Sequence, residues 1–541
     1  MKKIVLFTTI VMSAIQSQSQ VTLHEEFFNG SIGTWHSVSV NDTNDQWINS
    51  NGVMLMNGIG EEHDIDWLIS PAVDLNNTQH EYFLFDYNDV NNGALIELYY
   101  SVNYNGSGQA SDVNAATWNA LPLRLLDIER LTCMSTLFQR HPAIDISFIQ
   151  GTQVHFAFKY IGTSSVAKQY KIDNVHIEAD YYESILSSVP QNLLCADLKT
   201  ALYHIIKKQP DVIRYTSTSY DVWDAMLHTD TRLNDAGTDT IMWDMFTDIP
   251  NDTGEFELDP CTGRDNGSCS GGEGNCYQRE HTFPKSWWGG GGSYPSDTFY
   301  VDMHHLTPAD RTLNIQKSNY PPGEVDVPSS QGSNGFKVGT NNAYPCDSTM
   351  KYFEPVDAYK GDYARMYLYM ITRYEPHISS WDTIIVESNC ALDGQTYPGV
   401  EPWLLQTLLT WHLNDTVSKK EIDRNNAVYA IQGNRNPYID HPEWVEYIWG
   451  NTISSCESIS LGLSETQKDE ITVFPNPLSN QLMIESSTFL SANIILLSIH
   501  GVLVKQMIAE NASSVMMDVS SLPSGMYFLK VNDMVKKLIK P

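Results

Sequence analysis

The sequence predicts a multidomain chain in which an α+β core containing a ββα unit is flanked by an N-terminal β-sandwich and a small C-terminal β-sandwich. Three observations predict it. At 541 residues the chain is too long for one ordinary hydrophobic core. Its first third alternates apolar and polar residues with period two, whereas its middle carries apolar residues at helical spacing. A polar, serine-rich stretch then separates the middle from a last strand-rich segment. With 42% hydrophobic and 11% aromatic residues, the composition is that of a globular protein.

Residues 1–19 read as an export signal. Lys2 and Lys3 precede the mostly apolar run Ile4–Ile15, and Ser17–Gln18–Ser19 offers small residues for cleavage before Gln20. The run is too short to span a bilayer and no other segment approaches that length, so the mature chain is expected to lack a transmembrane segment. Export makes disulfides the expected state of the eight cysteines. Cys261, Cys269 and Cys276 are spaced unlike paired zinc knuckles, and they are expected to brace the chain ahead of Glu280–His281. The sequence does not select the pairing.

Residues 20–183 hold the sandwich strands, among them Tyr82–Tyr87, Leu95–Tyr100, Val154–Tyr160 and Val175–Glu178, broken by Asn, Asp and Gly. After a break near Ser184–Gln191, residues 190–452 form the α+β block. Helical spacing appears at Leu198–Ile206, Tyr220–His228, Tyr359–Tyr374, Glu401–Leu413 and Pro442–Trp449, around a glycine-rich middle containing Gly271, Gly272, Gly274 and Gly289–Gly292. Residues 453–470 are the linker, and residues 471–541 the C-terminal domain.

A formal net charge of −32 excludes a non-specific nucleic-acid coat, because phosphate contacts need Lys and Arg. One window is balanced. Between Arg279 and Tyr320, Arg279, Lys285, Arg311 and Lys317 stand against Glu280, Asp297, Asp302 and Asp310, so a local site there can accept an anion.

That window holds the chemistry. Gln278–Arg279–Glu280–His281 sets a carboxylate beside an imidazole, and Asn314 lies further along in Leu306–Asn314. Phe299, Val301 and Met303 alternate with Asp302 and His304, which predicts a strand. Thr307 is then expected to cap a helix, with Pro308 at its first position and Asp310 three residues after the cap. Asp310 and Asn314 would share one face with Lys317 close by, and the helix would stop near Asn319–Pro321. Such a unit gathers Glu280, His281 and Asn314 at one point. A carboxylate and an amide oxygen suit a hard divalent cation, and a neutral imidazole suits proton abstraction from water. His304 and His305 are expected to be structural, Asp302 to orient a neighbour, and Trp287 and Trp288 to pack in the core. No H-E-x-x-H occurs, which argues against a zinc hydrolase.

These segments resemble the endonuclease I family of the His-Me finger (ββα-metal) nucleases. The matching pieces are Arg279–Trp287, Asp302–Asp310, Asn314, Ser318–Val325, Arg424–Asn426 and Gln432–Pro442. The resemblance implies a nuclease acting on DNA, RNA or both with little sequence preference and leaving 5′-phosphates. It makes His281 the general base, and Glu280 and Asn314 the ligands of one Mg²⁺, for which Mn²⁺ or Ca²⁺ could substitute. The family also sets an arginine near the leaving phosphate, yet no arginine lies between His281 and Asp302. Arg279, Arg311 and Arg435 are its candidates, with Arg279 expected beside the reacting phosphate and Arg311, Lys317 and Arg435 expected to contact substrate.

Two further resemblances frame this block. Trp67–Leu75 and Ile172–Val175 resemble strands of MAM-like jelly-roll domains, which implies a binding or spacer role, sometimes for carbohydrate. Ile471–Pro477, Leu522–Val531 and the basic end Lys536–Lys540 resemble a type IX secretion sorting domain. That implies export by the type IX machinery and a secreted or outer-surface location. A rival reading, a surface adhesion or carbohydrate-binding protein with an inactive nuclease-like scaffold, rests on the sandwich and the low overall basicity.

Overall fold

The period-two segments of the N-terminal third pair into two antiparallel sheets. One runs in the order Ile144–Asp145, Tyr82–Val90, Gln169–Ala179, Val53–Asn57, Ile48–Ser50, with Val21–Glu26 on 169–179 and Gln139–Arg140 on 82–90. The other runs His36–Ser39, Ile65–Ile69, His155–Ile161, Glu97–Ser101, Asn119–Leu121. Phe83, Phe85, Phe156, Phe158, Leu68 and Trp35 fill the space between them. Strand His155–Ile161 is buried on both faces over most of its length. Its outer face is covered by a second cluster, in which Ala157, Trp67 and Ile69 pack against Val113 of the short helix Ala110–Ala115.

The computed structural model describes residues 21–450 and 472–540 apart from short interruptions, the longest at 58–64, 163–168, 250–255 and 291–297. The expected export signal and linker lie outside the described residues. The chain divides into two units, residues 1–452 and 453–541. None of the described helices is long and apolar enough to cross a membrane.

Within the first unit the block after the sandwich is built around helix Lys360–Arg373, buried at every position but the first. Helices Cys195–Ile206, Pro402–Asn414 and Glu443–Trp449 lie where helical spacing places them. Helix Lys419–Gln432 has no amphipathic signature, because its buried side includes Lys420, Glu421, Arg424, Asn425 and Gln432. These groups are paired rather than apolar. Lys420 faces Asp362 at 3.3 Å, Arg424 faces Asp230 at 2.8 Å, and Arg365 donates to Glu421 at 2.8 Å. Buried pairs of this kind add little over a well-packed apolar core, but removing one partner is costly.

The sandwich and this block are tied to each other. Disulfide Cys133–Cys261 joins them, the Ala143 amide donates to the Asn426 carbonyl at 3.0 Å, and the Tyr429 hydroxyl donates to Glu178. Disulfides Cys269–Cys276 and Cys346–Cys390 lie within the block.

Among the described residues of the second unit, five strands join one antiparallel sheet, in the order Thr472–Phe474, Gln481–Ser498, Gly525–Val531, Met534–Lys540, with Leu503–Asp518 on 481–498. The two expected sheets are thus one. The long strands break register between Glu485 and Phe489, and Leu482 and Ile484 before the break share a core with Ile494 and Leu496 after it.

Candidate active site

Strand Tyr277–His281 pairs antiparallel with Leu306–Asp310, setting Glu280 opposite Thr307 and His281 opposite Leu306. Helix Arg311–Lys317 follows at once, and Asp310 caps it by accepting from the Thr312 and Leu313 amides at 2.8 and 3.0 Å. Two expectations are corrected here. The helix begins after Asp310, not Thr307, and the strand is 306–310, not 299–303. Pro308 suits a helix start, but its fixed φ and missing donor suit an unpaired strand edge equally well. Thr298–Tyr300 forms a 3₁₀ turn instead.

Asp302 follows that turn. It accepts from the Tyr369 and Tyr374 hydroxyls and the Gln432 amide at 3.0, 2.8 and 2.8 Å, and lies 3.3 Å from the Arg373 guanidinium. Burial alone would raise its carboxyl, but Arg373 and these donors hold it well below the usual range. His304 bonds the Asn434 carbonyl at 3.1 Å and His305 the Phe299 carbonyl at 2.7 Å. Burial pushes them down to about 3 and about 4. Both are neutral structural groups.

His281 is buried, with Nε2 2.9 Å from the Tyr300 carbonyl. A carbonyl only accepts, so Nε2 carries the proton and Nδ1 is left as the basic nitrogen. The ring stacks on Tyr215, with centroids 5.7 Å apart, and meets the edge of Trp288. Burial first, then neighbouring His305, Lys285 and Arg279, hold His281 well below the ordinary histidine range despite the Tyr300 bond.

Glu280 is buried, and burial raises its carboxyl against the opposing pull of Lys317, whose Nζ is 2.7 Å from Oε1. The Asn314 amide nitrogen donates to Gln278 Oε1 at 3.1 Å. The Arg279 guanidinium stacks 3.6 Å over Tyr215 and 4.4 Å over Trp223, and donates to the Tyr215 carbonyl.

Arg279, Glu280, His281 and Asn314 line one cleft of about 580 Å³. Three expected substrate contacts do not join its lining. Lys317 is fully buried against Glu280 and the Phe353 ring. Arg311 stands behind the cleft with Nε 3.1 Å from Asp265. Arg435 is buried, makes two bonds to Asp440 at 2.8 and 2.7 Å, and lies 4.3 Å over the Tyr82 ring of the sandwich. A guanidinium so enclosed cannot reach a ligand in the cleft. Tyr215, Trp223 and exposed Lys285 do line the cleft and were not among the expected site residues. Lys285 follows the Glu280–His281 pair closely enough to be noticed, whereas the two aromatics carry no local signal.

Residues 195–443 match the family model described as Endonuclease I, and residues 472–541 the one described as secretion system C-terminal sorting domain. The chain is 37% identical over 185 residues to an extracellular ribonuclease of Bacillus amyloliquefaciens, covering 34% of this chain and 57% of that protein. It is 35% identical over 181 residues to an extracellular ribonuclease of Bacillus subtilis, covering 33% and 56%. It is 25% identical over 181 residues to an Endonuclease-1 of Buchnera aphidicola, covering 30% and 62%. The chain thus spans somewhat over half the length of these relatives. A cleaved adhesin domain of Lys-gingipain from Porphyromonas gingivalis aligns with 29% of this chain and 100% of its own length, at 14% identity and a TM-score of 0.21. Residues 195–443 are thus similar to the Endonuclease I family, and a type IX sorting domain follows them, which marks the chain for secretion to the cell surface or beyond.

Proposed function

We propose that this protein is a secreted, metal-dependent nuclease that hydrolyses phosphodiester bonds of DNA or RNA. The observation that carries the reading is the cleft itself, where an imidazole with a free basic Nδ1 shares one lining with a carboxylate, an amide oxygen and a stacked guanidinium.

The donor set fits a hard divalent cation. Glu280 and Asn314 line the same cleft, and among the described residues Asn314 Oδ1 accepts no hydrogen bond. Glu280 and Asn314 would hold Mg²⁺, with Mn²⁺ or Ca²⁺ as substitutes; when bound, the cation supplies neutralisation of charge on the phosphoryl and leaving oxygens. His281 Nδ1 takes a proton from water, and the oxygen of that water bonds to phosphorus. The bond from phosphorus to the 3′ oxygen breaks, leaving a 5′-phosphate and, after protonation, a 3′-hydroxyl. Arg279, held by Tyr215 and Trp223, presents its guanidinium to a phosphate oxygen. Exposed Lys285 adds a second, screened phosphate contact.

The test is digestion of plasmid DNA and of RNA by the mature protein, with and without EDTA. Cutting of either polymer that stops in chelator supports the reading. Cutting undiminished by EDTA would remove the cation, and no cutting with any of several divalent ions would remove the activity.

A further inference from the structure

A side-chain amide is nearly symmetric in shape, yet only its oxygen can bind a cation. Something must keep the Asn314 amide from presenting its nitrogen to the cleft. The neighbouring hydrogen bonds form a chain with one direction. Asp265 Oδ2 accepts from Gln278 Nε2 at 2.7 Å and from Arg311 Nε at 3.1 Å, while its Oδ1 accepts from the Gly267 amide at 2.8 Å. Gln278 Oε1 then accepts from Asn314 Nδ2 at 3.1 Å.

An ionised carboxylate has acceptors only, so Gln278 must turn its NH₂ toward Asp265. Its oxygen then faces Asn314 and demands a donor. Asn314 can meet that demand only with Nδ2, which leaves Oδ1 as the atom offered to the cleft. Arg311, which does not line the cleft, adds a second donor at the head of the chain and holds Asp265 in its acceptor role.

We propose that Asp265 and Gln278 are positioning residues, a polarity relay that orients the Asn314 amide oxygen for cation binding. The inference rests on the cation reading above and adds two residues to it. Both line the cleft, and in this role they act on the cation through Asn314. Groups that orient metal ligands from behind typically change metal affinity by about 10–100-fold when lost.

The test is a double-mutant cycle on Mn²⁺ affinity, measured by calorimetry on the full chain without substrate. Gln278→Met keeps the length of the side chain and removes both hydrogen bonds. With Asn314 present it should weaken Mn²⁺ binding by about 10-fold or more. In an Asn314→Asp background the loss should fall below about 2-fold, because a carboxylate presents an oxygen whichever way it turns. Asp265→Asn supplies a second route should Gln278→Met fold poorly, since an amide there lets Gln278 reverse; it should show the same loss and the same rescue by Asn314→Asp. Equal losses in both backgrounds, or no loss beside Asn314, would overturn the relay while leaving the cation in place. A wild-type chain that binds no Mn²⁺ would overturn the cation reading and the relay together.

Discussion

Lys317 sets its ammonium 2.7 Å from Glu280 Oε1, with both side chains removed from solvent. The lysine thus belongs to the inside of the site, behind the carboxylate, and not to the surface that meets substrate. Lys317→Met should strand a buried carboxylate and cost about 3–5 kcal/mol of stability. Urea unfolding measures that loss. A lysine that contacted substrate would instead raise KM with the unfolding midpoint unchanged.

His281 carries the proposed proton transfer, so His281→Ala should lower kcat by at least about 10²–10⁴-fold. Mn²⁺ affinity should stay within about 2-fold, because the imidazole is no ligand in this arrangement. Single-turnover cleavage and calorimetry on the same preparation check both halves. Strong loss of Mn²⁺ binding in this variant would make the imidazole a ligand and leave the base unassigned.

Three buried histidines bear on acid stability. Burial pushes His304 to about 3, His305 to about 4, and His281 well below its ordinary 6.5. Above that ordinary value both folded and unfolded chains hold them neutral. As pH falls below it the unfolded chain binds protons that the fold refuses, so these histidines take stability away toward pH 4. The slope is about 1.4 kcal/mol per pH unit for each histidine. Buried carboxyls work in the opposite direction: burial raises Glu280 and lifts Asp244 and Asp362 to about 7. The histidine share is read as a difference: from pH 7 to pH 5 the thermal midpoint should fall more, or rise less, in the wild type than in a His304→Gln chain, and the acid limb of kcat/KM should lie below pH 6.5, the ordinary histidine value. The same pH dependence in both chains would contradict the buried neutral state of His304.

Arg435 and Lys285 separate packing from substrate contact. Arg435→Ala removes the partner of buried Asp440 and the cation over Tyr82, and should cost about 3–5 kcal/mol with little change in KM. Lys285→Ala, at an exposed position on the cleft, should raise KM and flatten its dependence on salt, with stability unchanged. Steady-state kinetics at two ionic strengths, together with unfolding curves, distinguish the two behaviours.

The legible parts of this molecule are those where one physical signal dominates. Tyr82–Tyr87 alternates because a sheet face meets a core, and it falls in strand Tyr82–Val90, while most of Val154–Tyr160 falls in strand His155–Ile161, whose other face is covered as well. Helix Lys419–Gln432 stayed hidden because polar side chains fill its buried face and find their partners only in the folded chain, as Arg424 does with Asp230. Glu280 and His281 were visible as neighbours, and Asn314 through its ordered companions. The start of its helix was not, since Thr307–Pro308 imitates a cap that Asp310 supplies. The cradle of Arg279 depends on Tyr215 and Trp223, which reach it only through the fold.

Anomalous scattering from a crystal soaked in Mn²⁺ tests the central arrangement most directly. One peak bridging the Glu280 carboxylate and Asn314 Oδ1, with His281 Nδ1 near but unbound, is the predicted result. A peak coordinated by His281, or one placed away from Glu280 and Asn314, would contradict it.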